Sequence, residues 1–194
     1  MDLSDHSENK EKQLFKVFKP FEEEYIPSPG DITCFLAGKM VNTPDWQQQV
    51  IDELKQFNDT EKLVIFNPRK FNKRPPPSIL GDYIRWEFNF LEMADILAVY
   101  LPKGESPSSI YELARNVYRI SRDHPEEVSS RIIISIEPGF EFKLDVNLQI
   151  VLALENLMDN PDDVIDNNPN PKRHAERIYR SYKELLKKNK SEKK

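Results

Sequence analysis

The sequence predicts an α/β domain built on a parallel sheet with helices on both faces. Short apolar runs alternate with helix-length segments between residues 31 and 158. The runs are apolar at consecutive positions, the pattern of strands buried on both faces. The helix-length segments between them are what parallel crossovers require. At 194 residues the chain suffices for one such domain. A three-layer sandwich of four to five strands is expected. Its crossovers are right-handed, and ligands belong beyond the carboxyl ends of the strands.

Residues 1–30 are rich in Lys and Glu and end in Ile26-Pro27-Ser28-Pro29-Gly30. They read as a polar leader in which Phe15, Phe18, Phe21 and Tyr25 offer docking points. Residues 32–37 are the first strand. In 44–57, Trp46, Val50, Ile51, Leu54 and Phe57 recur at a helical period, with Thr43 as N-cap and Pro44 at the first helical position. Residues 63–66 are the second strand, closed by Asn67-Pro68, and 69–77 form a basic, proline-rich loop. A helix over 78–93 starts at Ser78. The third strand spans 95–101, and Ser106 caps a helix over 107–121. The fourth strand is 131–136, and Pro138-Gly139 ends it. A helix over 146–158, a short edge strand at 164–165 and an amphipathic helix over 172–188 complete the chain. Three regions result: the leader 1–30, the domain 31–158, and a linker with a C-terminal helix and basic tail over 159–194.

Composition excludes several functions. The five glycines stand at 30, 38, 81, 104 and 139, too far apart for a P-loop or a dinucleotide fingerprint. Cys34 is the single cysteine, so neither an internal disulfide nor a thiolate metal site is expected. The histidines at 6, 124 and 174 are scattered, and no metal is expected. A net charge of −5 argues against a nucleic-acid partner. No apolar run is long enough to span a membrane, and no signal peptide is visible. The expected location is the cytoplasm.

Two carboxylates stand in unexpected places. In the helix 78–93, Leu80, Ile84, Leu91 and Ala94 form an apolar stripe, and Glu87 falls inside it. A desolvated, unpaired carboxylate costs several kcal/mol or takes up a proton. Glu87 is therefore either a proton donor or anchor in a pocket, or the partner of Arg85 or Arg69, or simply exposed. Glu112 lies in the helix after the third strand. Either it closes a capping box with Ser109, or it is a nucleophile or base at the mouth of the sheet, kept ionised by the helix dipole.

Four pieces in order resemble the nucleoside 2-deoxyribosyltransferase family. Phe35-Leu36-Ala37-Gly38 ends the first strand, with Trp46 in the next helix. Asn67-Pro68-Arg69 ends the second. Trp86-Glu87 precedes Ala94-Asp95-Ile96. Ser106 to Leu113, with Glu112 near its end, opens the helix after the third strand. The resemblance covers residues 31–158. It implies a flavodoxin-like fold, homo-oligomeric assembly, and transfer of a deoxyribosyl group between bases without metal or organic cofactor, in nucleoside salvage. It places Glu112 as the nucleophile on C1′ and Glu87 as its acidic partner. Gly38, Asn67, Arg69, Trp86 and Ser106 become substrate-binding residues, for a nucleoside or nucleotide. The chain departs from the family at Phe35, at Ser108-Ser109 and at Ala114. Those departures keep two alternatives open: a hydrolase of deoxynucleoside monophosphates, with its phosphate near 69–74, and a non-catalytic nucleotide-binding module.

Overall fold

Strands form where the sequence is apolar at consecutive positions, and they pair in parallel throughout. A computed structural model describes residues 14–22, 24–71, 73, 75–104, 107–140, 165–167 and 170–191. In chain order these hold β1 (Lys16–Phe18), β2 (Ile32–Gly38), α1 (Trp46–Leu54), β3 (Leu63–Phe66), α2 (Pro77–Met93), β4 (Ile96–Leu101) and α3 (Pro107–Asp123). A 3-10 turn at Pro125–Glu127, the short α4 (Val128–Arg131), β5 (Ile132–Ile136), β6 (Ile165–Asp166) and α5 (Pro171–Ser191) follow. The expected helix over 146–158, together with Ser106, Arg74 and Val164, lies outside the described residues.

The sheet order is β1-β3-β2-β4-β5-β6. The sheet is the doubly wound, flavodoxin-like α/β arrangement, with one strand more than the four to five expected. The additional strand is β1, from the leader. Lys16-Val17-Phe18 pairs with Val64-Ile65-Phe66, and the Asn67 amide donates to the Phe18 carbonyl at 2.9 Å. Phe15 and Tyr25 are buried on opposite faces. Alternating apolar side chains make an edge strand of a segment whose average composition is polar.

The two faces separate the core. Phe35, Ala37, Leu97, Val99 and Leu101 pack under α2 and α3. Cys34, Leu36, Ile96, Ala98 and Ile133 pack under α1 and α5. The strand order reverses between β2 and β4, so crevices open at their carboxyl ends, on both faces.

Several boundaries differ from expectation for identifiable reasons. Thr43 does not cap α1, because its hydroxyl donates to the Lys39 carbonyl at 2.9 Å. Asp45 caps it instead, accepting from the Gln48 amide at 3.0 Å. α2 starts at Pro77 behind Pro76, so Ser78 lies one residue inside the helix. At the other end of the sheet Asp95 ties β4 to β2. Its carboxylate accepts from the Thr33 amide and the Thr33 hydroxyl, each at 2.9 Å, and its own amide donates back to that hydroxyl.

Candidate active site at the α2–α3 crevice

The buried face of α2 is rotated from the stripe read in the sequence. Ile84 is 40% exposed, while Tyr83 and Leu91 are buried and Trp86 and Phe90 pack on the core. Glu87 keeps its place on that face, one turn after Tyr83 and one turn before Leu91. The ionic partners considered for it are engaged elsewhere. Arg85 pairs with Asp82 at 3.2 Å, and Arg69 with Asp45 at 3.5 Å. Burial pushes the Glu87 carboxyl up to about 7, and the Tyr83 hydroxyl offsets part of that rise.

Glu112 comes from the second turn of α3. That helix begins at Pro107, so Ser109 sits within its first turn and is not an N-cap. The capping box therefore does not form in the expected register. Nor does the helix dipole keep the carboxylate ionised. Burial raises the Glu112 pKa well above the usual carboxylate range, and the Glu87 charge raises it further. Two carboxyls from different helices thus face one poorly hydrated space on one side of the sheet. Like charges in such a space share a proton rather than both ionise.

Tyr83 is a third member that sequence reasoning missed. Its hydroxyl donates to the Pro68 carbonyl at 2.5 Å. Burial raises its pKa, as do the charges of Glu87 and then Glu112. The signal was present as the four-residue spacing to Glu87. A tyrosine on an apolar face is, however, unremarkable as core. The apolar wall beside these groups is aromatic, with Trp86 4.4 Å from Phe90 and 6.4 Å from Phe35 between ring centroids.

The other residues expected to bind substrate have structural employment. Gly38 is buried beneath Trp46, and an added Cβ would lie 2.5 Å from the Tyr100 carbonyl and 2.9 Å from the indole. Asn67 is buried and accepts from the Arg69 amide at 2.9 Å. The Arg69 guanidinium donates to the Pro44 carbonyl at 2.8 Å and to the Thr43 carbonyl at 2.9 Å. It clamps the loop between β2 and α1. The structure therefore brings Tyr83, Glu87 and Glu112 together, packs Trp86 against Phe35 and Phe90, and leaves Gly38 at the end of β2 and Asn67 and Arg69 in the segment after β3.

Two carboxyl-bearing helices, α2 and α3, follow β3 and β4 of the doubly wound sheet. Residues 31–122 match the family Nucleoside 2-deoxyribosyltransferase like. The segment from β2 to the end of α3 is nucleoside 2-deoxyribosyltransferase-like, and both carboxyls lie within it. No curated protein matches the chain. Among the described residues no helix is long and apolar enough to cross a membrane.

Proposed function

We propose that this chain cleaves the N-glycosidic bond of 2′-deoxynucleosides and transfers the deoxyribosyl group to an acceptor base. The observation that carries this reading is the pair Glu87 and Glu112. Neither has an ionic partner among the described residues, and both pKa values are raised in a shared crevice. Glycosyl transfer with retention needs one ionised carboxylate as nucleophile and one neutral acid. A dyad that shares a proton supplies both once that proton has passed from Glu112 to Glu87.

In this reading Glu112 attacks C1′ and an ester bond forms. The C1′–N bond breaks, its electron pair stays on the base nitrogen, and Glu87 gives that nitrogen its proton. The acceptor base then attacks C1′ through a ring nitrogen. The ester breaks, Glu112 leaves as carboxylate, and the nitrogen's proton returns to Glu87. Tyr83 orients Glu87, and Trp86 supplies a face for the base. A homo-oligomer working in cytoplasmic nucleoside salvage belongs to the same proposal, with 31–158 as the catalytic unit. The hydrolase alternative has less support, since both terminal nitrogens of Arg69 donate to the loop before α1.

The test is product analysis with a 2′-deoxynucleoside, with and without a second free base. New nucleoside formed only with the base present is the expected result. Glu112→Gln should lower the transfer rate by at least about 10³-fold, since no other group replaces the nucleophile. Equal rates for wild type and Glu112→Gln, or free sugar as the product in both mixtures, would refute the transferase assignment.

A further inference from the structure

A polar cavity of about 200 Å³ lies between α4 and α5, beside Ile133 in the first half of β5. It is on the face of the sheet that α2 and α3 do not cover. From α5 it is lined by Arg177, Arg180, Ser181 and Glu184, whose spacing of three and four places them on one side of the helix. From α4 come Ser129 and Ser130.

Two of these groups are fastened within the protein. Arg177 Nη1 donates to the Ile134 carbonyl at 2.9 Å, and the Ser130 hydroxyl donates to the Glu127 carbonyl at 3.1 Å. The others are open. Ser181 is 6% exposed and lines the cavity, yet its hydroxyl has no hydrogen-bond partner among the described residues. A buried hydroxyl in that state calls for a partner from outside the chain. Ser129 and Arg180 are exposed and have no side-chain partner either. Arg180 does not pair with Glu184, although the two stand one turn apart and border the same space.

Charge and size limit what fills it. α5 carries eight lysines and arginines against two glutamates, so the local field is positive in a chain of net charge −5. The volume is below that of drug-sized sites and suits a small ion. Open donors ask for an oxyanion, and the one carboxylate asks for a donor on the same ligand. We propose that this cavity binds a phosphate group. Arg180, Ser129 and Ser181 donate to its bare oxygens, and Glu184 accepts from the oxygen that carries a proton. At about pH 6 phosphate keeps such a proton and sulfate has none, so Glu184 selects phosphate over sulfate. Inorganic phosphate and the end of a phosphate monoester share this chemistry. The proposal stands whether or not Glu112 reacts.

The test is an NMR titration of the full chain at about pH 6 and constant ionic strength in chloride, read at the amides of Ser129 and Ser181. Inorganic phosphate or glycerol 3-phosphate should move both saturably. A response to both assigns the site to the phosphate end of a monoester, and a response to inorganic phosphate alone assigns it to the free ion. Sulfate should bind at least about ten-fold more weakly than phosphate. Arg180→Gln should weaken phosphate at least about ten-fold, and Glu184→Gln should narrow the phosphate–sulfate difference to less than about three-fold. Both side chains are exposed, so neither change threatens the fold. Glu112→Gln should leave the affinity unchanged. Amides that respond to neither phosphate overturn the proposal, since water alone then fills the cavity. So does sulfate binding as tightly as phosphate in the wild type, which would make the site a bare positive patch, and so does an unchanged affinity in Arg180→Gln.

Discussion

At the scale of single residues, burial without an ionic partner among the described residues is what distinguishes Glu87. The carboxyl is raised from 4.5 to about 7 by desolvation, so the folded state holds a proton that the unfolded chain releases. Its contribution is therefore fully present below about pH 4.5 and is lost as the pH rises through about 7. Glu87→Gln should reduce this slope to the share that Glu112 contributes, and leave the protein more stable than wild type at pH 8, by about 1–3 kcal/mol after allowance for its partial exposure. Chemical denaturation across pH 4–8 reads this directly. An unchanged slope in the variant would place the titration elsewhere. Gly38 shows the opposite case, a residue whose value lies in what it lacks. Gly38→Ala puts a methyl group against the Tyr100 carbonyl and the Trp46 ring. A loss of about 1–3 kcal/mol is expected in urea unfolding, from overpacking and the strained backbone.

At the scale of elements, residues that look like motif are partly fasteners. Asp95, which follows Ala94 in the matched segment, holds the entrance of β2 against β4 through Thr33. Arg131 approaches its other oxygen at 3.4 Å. Asp95→Ala leaves the Thr33 amide without its acceptor, and a loss of about 2–3 kcal/mol in thermal or urea unfolding is expected. Little change would mean that Thr33 finds another acceptor. Arg69 likewise fastens the 43–45 loop, which explains a buried arginine close to a strand end. The helices were legible from period and punctuation, but their first residues were not. Thr43 and Ser78 have the right chemistry for caps, and competing partners or a proline pair moved both starts by one or two positions.

At the scale of the whole molecule, the sheet is completed by segments outside the family match. β1 comes before it, and β5, β6 and α5 come after it. α5 lays His174, Ala175, Ile178, Ser181, Tyr182 and Leu185 on α1 and the sheet. Ile178, Tyr182 and Leu185 are each worth about 1.5–3 kcal/mol of burial, and together they rival a typical net stability of about 5–15 kcal/mol. A chain ending at Asp166 should therefore show no cooperative unfolding transition by circular dichroism. A sharp transition in that truncation would show the core to be closed without α5.

The sequence alone determined the α/β class, the parallel sheet and, β1 apart, the order of the described strands and long helices, and it singled out the two carboxyls. All of these follow from local period, from runs apolar at consecutive positions, and from charge where charge is costly. It did not determine β1, since in an edge strand of three residues the alternation is too short to stand out from a polar leader. Only the tertiary structure decided that Tyr83 joins the carboxyls and that Arg69 turns to the 43–45 loop. It alone decided that Trp46 and His174, 128 positions apart in the chain, meet ring edge to ring face. Those outcomes depend on which side chains meet across the sheet, and hydrogen bonds between distant residues leave no trace in local pattern.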